Sequence, residues 1–223
     1  MGEVIRKDAA AEDILADTRI TLTGATARGG DWHTAATTRL SPVLVLADSV
    51  ALRLTEAHTL SEPLEAELDV ANDISDRLIH RVSDDVWNLV GRPGHDAALD
   101  LIFPGGATTY TEGDITEQPD RMMLLADLLE SGIHPRLDDA KATALAIEIR
   151  TDAVALYNKV EAVRPLRVRI ALALKMQQAI ARAAQSALSG LKRSWKADGK
   201  TEVDIHEVIP DRPRSAPKAA PTL

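Results

Sequence analysis

Cysteine is absent from the 223 residues, which excludes disulfide bonds, thiol nucleophiles and thiolate metal sites. Aromatic residues make up only 3% of the chain. The apolar share of 45% is therefore mostly Ala, Leu, Val and Ile. Because Ala and Leu favour helices and aromatic side chains favour strands, this mixture predicts a mainly α-helical protein.

Positive charge is also scarce, since 26 basic residues face 34 acidic ones and the net charge is −8. That balance argues against a dedicated nucleic-acid-binding protein. The first residues lack the basic start and apolar core of a signal peptide. No apolar run approaches the roughly 20 residues that a membrane span needs. We therefore expect a cytoplasmic protein with no nucleic-acid partner and no membrane span.

Recognisable catalytic and cofactor motifs are missing as well. The loop-like stretch at Gly29 and Gly30 lacks the Gly-Lys-Ser/Thr ending of a phosphate-binding loop. No serine or histidine stands in the strand–turn–helix context of a nucleophile elbow. The sequence thus predicts neither a catalytic residue nor a cofactor.

Four stretches have the apolar spacing of amphipathic helices. They cover residues 41–58, 61–90, 137–163 and 166–195. Ser41 with Pro42, and later Ser61, are typical helix starts, whereas Gly91 is typical of a helix end. Pro165 removes a helical hydrogen bond, so the chain is expected either to kink there or to reverse, and we favour the reversal.

The two helix pairs resemble each other. Residues 47–52 (ADSVAL) match 151–156 (TDAVAL), and a Pro-Leu pair follows each at Pro63 and Pro165. This similarity suggests an internal duplication of a helix–Pro–helix unit, with chance likeness between Ala/Leu-rich helices as the alternative.

The predicted fold is an antiparallel helical bundle of about four main helices. It occupies residues 41–198, with an irregular insertion at 91–119, between an N-terminal extension (1–40) and a C-terminal strand with a Pro/Ala-rich tail (199–223). Alternating β-branched residues predict short strands at 19–23 and 203–209. Phe103 and Tyr110, inside the insertion, are expected to pack back onto the bundle or else to contact a partner.

The last long helix is apolar on two sides, which is typical of a helix buried on two sides. One apolar stripe comprises Leu166, Ile170, Ala173, Ala184, Leu188, Leu191 and Trp195. The second stripe comprises Val168, Leu172, Met176, Ala179 and Ala183. Between them lies a basic row of Arg167, Lys175, Arg182 and Arg193. We predict an interface at this basic row, at Trp195, and at Trp87 on the other long helix.

Charge separates the long helices. Residues 61–90 hold eight carboxylates and two arginines, whereas residues 164–197 hold eight basic residues and no acid. Pairing of these stretches, within one chain or between chains, is expected to set register more than stability, because exposed ion pairs contribute little.

Asp69, Asp73, Asp76 and His80 form the most metal-like pattern, because their spacing places them on one helical stripe. This stripe lies opposite the apolar face, and the chain has no Glu-x-x-His sequence of di-metal bundles. A solvated acidic face is therefore preferred, and no metal is predicted.

These features favour a non-enzymatic structural or assembly protein that self-associates through helical surfaces and terminal strands. One alternative is an enzyme or a ligand- or metal-binding bundle, with its site in the 91–119 insertion or at the Asp69–His80 stripe. The other is an adaptor whose Pro-rich tail docks on a larger protein complex.

Overall fold

A computed structural model describes residues 9–210, and within that range the chain forms helices and no strand. The α-helices are α1 (Ala11–Arg28), α2 (Gly30–Leu89), α3 (Ala97–Ile102), α4 (Thr108–Thr111), α5 (Gln118–Glu130), α6 (Asp139–Ala197) and α7 (Glu202–Val208), with a 3-10 turn at Ile115–Glu117. The prediction of a mainly α protein is confirmed. The first residues of the predicted extension and the Pro/Ala-rich tail from residue 211 lie outside the described residues.

Two long helices take the place of the four predicted ones. α2 has 60 residues and α6 has 59. Ser41 and Pro42 lie inside α2 instead of starting a helix. Ser61 is buried within α2, and its hydroxyl donates to the carbonyl of His58 at 3.1 Å, so it does not cap a new helix. The buried positions Ala57, Ser61 and Leu68 keep helical spacing through this region, and the predicted break was wrong.

The chain does not reverse at Pro165, because α6 continues through it. The proline ring is exposed, while Val163 and Leu166 on either side of it are buried at 1% and 7% exposure. Packing on the buried side therefore outweighs the loss of one backbone hydrogen bond. The predicted reversal was wrong.

Residues 19–23, predicted as a strand, lie in the middle of α1. The hydroxyls of Thr18 and Thr21 each donate at 2.7 Å to a carbonyl four residues earlier, so these buried polar groups are satisfied inside the helix. Thr21 is buried while Ile20 is 54% exposed, the reverse of what the strand pattern implied. Helical packing overrides the β-propensity of threonine and isoleucine here.

Residues 203–209, the second predicted strand, belong mostly to α7. Thr201 caps this helix, since its hydroxyl accepts from the Asp204 backbone N–H at 3.2 Å. Ile205, Val208 and Ile209 are buried at spacings of three and one, which is a helical face. Val203, which the strand would have buried, is 71% exposed.

The chain forms two compact units, and both long helices contribute to each. The first unit comprises residues up to Ala57 and from Arg169 onward, and the second comprises His58–Val168.

In the second unit, α5 and the short helices of the 91–119 insertion pack on α2 and α6. Its core contains Ile79, Met122, Leu125, Ile149 and Leu156, all at most 1% exposed. Phe103 and Tyr110 join this core as an edge-to-face pair with centroids 6.0 Å apart, and the Tyr110 hydroxyl donates to the Ile102 carbonyl at 2.5 Å. The expectation that they pack back onto the helices is confirmed.

In the first unit, α1 and α7 pack against the parts of α2 and α6 that belong to it. Trp195 is fully buried beside Leu40, Leu188 and Ile205. Glu202 at the start of α7 pairs with Lys192 at 3.3 Å and also with Lys196 on α6. These side-chain hydrogen bonds, that of Lys196 above all, lower the pKa of Glu202 to about 2.

Gly24 is the point at which α1 and α7 approach closely. A Cβ atom at Gly24 would meet the Val208 backbone at 3.5 Å, an ordinary contact with no further room. We expect Gly24→Ala to be tolerated, since alanine also favours the helix. Gly24→Leu would push α7 away and cost about 1 to 3 kcal/mol. Thermal unfolding of the two variants checks this, and equal stability would contradict the close packing.

Candidate functional site

The two apolar stripes of α6 have different environments. The first is covered, since Ala184, Leu188, Leu191 and Trp195 are at most 1% exposed. The second is open within the first unit, where Leu172 is 56% and Met176 39% exposed and Ala179 and Ala183 are also exposed. A helix that is apolar on two sides is thus covered on one side only, and its second stripe stays exposed to solvent.

The α2 segment of the first unit also exposes large apolar side chains. Val45 is 67%, Leu46 57% and Leu52 61% exposed, while Ala47 and Val50 between them are buried. Single exposed apolar residues are normal on a protein surface, but a succession of them on one helix is typical of an interaction site.

The basic row divides into a paired and an unpaired part. Arg167, in the second unit, donates to both carboxylate oxygens of Glu65 at 2.8 and 2.5 Å. Lys175, Arg182 and Arg193, in the first unit, are exposed and form no ion pair with any described residue. Their spacings of seven and eleven residues keep them on one line, next to the open apolar stripe.

The two tryptophans predicted at an interface differ in burial. Trp195 is fully buried and packs on Trp32 with ring centroids 4.4 Å apart. Trp87 is 41% exposed, and its indole N–H donates to the Pro93 carbonyl at 3.2 Å. Arg92 lies over the Trp87 ring at 5.5 Å. In the first unit Trp195 is therefore a core residue, whereas Trp87 offers surface at the end of α2.

The Asp69–His80 stripe does not converge on one point. Asp76 is half-buried and accepts from the Gln118 side chain at 2.7 Å and from Asn72 at 3.2 Å. Asp69, Asp73 and His80 are exposed. Among residues 9–210, no group of three or more His, Asp or Glu side chains is placed to hold a metal ion.

A groove of about 600 Å³ crosses one face of the second unit. Its walls combine apolar side chains with charged ones: Ile74, Arg77, Leu78, Arg81, Glu148 and Asp152. Arg81 pairs with Glu148, and Asp152 accepts from the buried Ser75 hydroxyl at 2.5 Å. These contacts engage most of the charges in the groove, which makes it a shallow surface rather than a pocket with converging polar groups.

An Asp–His–Arg cluster, absent from the sequence-based predictions, joins the start of α3 to the loop that precedes α6. His134 is 3% exposed, and its Nε2 lies 3.2 Å from Asp96, while its Nδ1 accepts from the Arg136 backbone N–H at 3.2 Å. Both ring nitrogens therefore have partners. Asp96 also caps α3 by accepting from the backbone N–H groups of Ala98 and Leu99. The geometry is that of a structural clamp rather than a general base.

Protonation of Asp96 should weaken this clamp. Burial would raise the pKa of Asp96, but hydrogen bonds from Leu99, Arg136 and Ala98 lower it from 3.8 to about 2. Because the folded-state pKa is the lower one, the stabilisation is complete above a pH of about 4 and is lost as the pH falls towards 2. Asp96→Ala should lower the melting temperature by several degrees at pH 7.

The difference between Asp96→Ala and the parent chain should shrink on acidification, as followed by circular dichroism. Asp100→Ala is the matched control, because Asp100 is an exposed carboxylate in the same short helix. A difference that stays constant from pH 7 to a pH of about 2 would contradict the role given to the carboxylate.

Part of α2 is as long and as apolar as a membrane-spanning helix. It includes an 18-residue window that is long and apolar enough to cross a bilayer by length and composition, and 28% of that window is buried. The core helix of a soluble protein meets the same criterion.

Sequence spacing alone reveals the basic row and the second apolar stripe, whereas the Asp–His–Arg clamp joins residues about 40 positions apart and has no local signal.

Comparison with known proteins adds no relative, since no family model, no curated protein and no solved structure matches this chain.

Proposed function

We propose that this chain is a non-enzymatic structural or assembly protein whose copies associate through the exposed apolar faces of the two long helices. The observation that carries the proposal is the location of exposed apolar side chains. Of the twenty large apolar residues that are exposed among residues 9–210, eight lie on α2 and seven on α6. Association would remove this surface from water, which is the dominant driving force for most protein complexes.

We propose that the predicted antiparallel bundle of four helices forms between two copies of the chain. Each copy would contribute a segment of α2 and a segment of α6, so that four helical segments pack where two copies meet. The helix–Pro–helix duplication stays a prediction, as does the cytoplasmic location. We propose no nucleic-acid partner, given the net charge of −8.

Light scattering behind size-exclusion chromatography tests the proposal. At micromolar concentration and low salt, the measured mass should exceed 24.0 kDa, the mass of one chain. Electron microscopy of the same fractions in low and high salt should show assemblies and the part of their stability that is electrostatic. A strictly monomeric species under all these conditions would count against the proposal.

The two alternative functions have separate tests. The adaptor reading concerns the tail from residue 211, which lies outside the described residues, and it requires that deletion of residues 210–223 abolish capture of a partner. The metal-binding reading requires stoichiometric metal in the purified protein that is lost in Asp73→Ala.

A further inference from the structure

We propose that copies join head to tail, with the unpaired part of the basic row in the first unit of one copy docking on an acidic row in the second unit of the next. This inference rests on the proposed self-association and specifies the surfaces and the symmetry through which it occurs. The partner is thus a second copy of this chain.

The acidic row consists of Glu62, Asp69, Asp73 and Asp84 on α2. Their spacings of seven, four and eleven residues place them on one line along the helix. All four are exposed, and none forms an ion pair with a described residue. Other acids of the same stretch are already used, since Glu65 pairs with Arg167 and Glu67 with Lys159 at 2.7 Å.

The unpaired part of the basic row has complementary charge and matching geometry. Arg182 and Arg193 are eleven residues apart, as are Glu62 and Asp73, so on two helices both pairs can meet at once. Among residues 9–210, neither this part of the basic row nor the acidic row forms an ion pair within one chain. An interface between this part of the basic row and the acidic row would give both sets of charges an ion-pair partner, and charge complementarity of this kind steers association and fixes register.

Apolar surface adjoins both rows. The open stripe with Leu172 and Met176 runs beside the basic row. Val70 and Ile74, at 59% and 47% exposure, lie beside the acidic row. The Ala179 and Ala183 side chains are small, which would allow a second helix to approach closely. Each surface thus combines apolar area to supply affinity with charges to supply specificity.

The two surfaces are different, so the contact is heterologous. A heterologous contact leaves a free copy of each surface at the ends of any small assembly, and it generates rings or open filaments instead of a closed two-fold dimer. Other anionic surfaces, such as a lipid bilayer, also attract basic helices. The chain's own acidic row and its net charge of −8 favour a second copy as the occupant.

Reciprocal charge reversal tests the proposal. Variant one carries Arg182→Glu and Arg193→Glu, and variant two carries Glu62→Lys and Asp73→Lys. Each alone should dissociate at least about tenfold more readily than the parent chain in low salt, because like charges then face each other. An equimolar mixture should assemble again, because every contact between unlike copies is then between opposite charges.

The control variant Arg53→Glu with Lys141→Glu carries the same change in net charge as variant one, at exposed positions outside both rows. It should assemble like the parent chain, and circular dichroism should show that all variants keep the same helix content. Because the chain has no cysteine, Lys175→Cys and His80→Cys can be introduced on separate copies. These positions face each other when antiparallel helices bring Arg182 to Asp73 and Arg193 to Glu62, so a disulfide between the copies would support this docking directly.

Two results would overturn the head-to-tail docking but leave the proposed function intact. In one, the parent chain assembles while the reversed variants assemble equally well by themselves. In the other, the parent chain sediments with phosphatidylserine vesicles and variant one does not, while self-association is the same in both. A parent chain that is monomeric in low salt would instead defeat the proposed function itself, so the two failures are distinguishable.

Discussion

Replacing Trp195 by alanine is expected to lower the free energy of unfolding of the first unit by about 3 to 5 kcal/mol, the range for truncation of a buried tryptophan. Trp195 is fully buried, packs on Trp32 at 4.4 Å, and contacts residues of α7 in the same core. Truncation would leave a cavity where α1, α7 and the two long helices meet. Urea unfolding monitored by circular dichroism measures the effect.

Two substitutions control this experiment. Trp195→Phe keeps most of the ring and removes an indole N–H that has no partner among the described residues, so it should cost much less. Trp87→Ala removes a tryptophan that is 41% exposed, and its cost should stay near 1 kcal/mol. Equal effects of Trp195→Ala and Trp87→Ala would contradict the core position of Trp195.

The double substitution Leu172→Gln with Met176→Gln is expected to weaken self-association about a hundredfold, which corresponds to about 2.8 kcal/mol. Both side chains belong to the open apolar stripe, and burial of each against another copy would contribute about 1.5 kcal/mol or more. Because both side chains are exposed in the single chain, the double substitution should hardly change the melting temperature of that chain. Sedimentation velocity over a range of concentrations gives the dissociation constant.

The matched control is Leu101→Gln with Val203→Gln. These residues are 63% and 71% exposed and lie on the short helices α3 and α7. Their substitution removes as much exposed apolar surface but leaves the long helices intact. If both double variants lose association to the same degree, the stripe on α6 has no special role.

The sequence predicts the existence of helices much better than their ends. Gly91 marks the end of α2 as expected, and Gly199 follows the end of α6 in the same way, because both adopt positive φ angles that other residues avoid. Ser61 and Pro165 carry the same kind of local signal, yet neither interrupts a helix. At these positions apolar packing over many turns outweighs a local preference of a few kcal/mol, and the size of that packing term cannot be read from local sequence.

The two strand predictions failed for a related reason. A pattern of only five residues is too short to distinguish the alternation of a strand from one face of a helix. Here the buried positions of the helix also hold threonines, Thr18 and Thr21, which favour strands. In α7 the spacing of Ile205, Val208 and Ile209 was helical and carried the better signal. Strands that add to a neighbour's edge are therefore not part of the proposed association, which depends on helical surfaces alone.

The candidate surface was partly visible in the sequence. Periodicity placed two apolar stripes and a basic row on α6, but it could not show which stripe is covered. It also could not separate Arg167, which pairs with Glu65, from Lys175, Arg182 and Arg193, which have no such partner among the described residues. Those distinctions depend on contacts between residues about 100 positions apart.

Sedimentation equilibrium of the complete chain at micromolar concentration, in low salt, tests the central claim most directly. An average mass that rises with concentration beyond the 24.0 kDa of a single chain, and rises less steeply when salt screens the charges, is the predicted result. A mass that equals one chain at every concentration and salt level would contradict it.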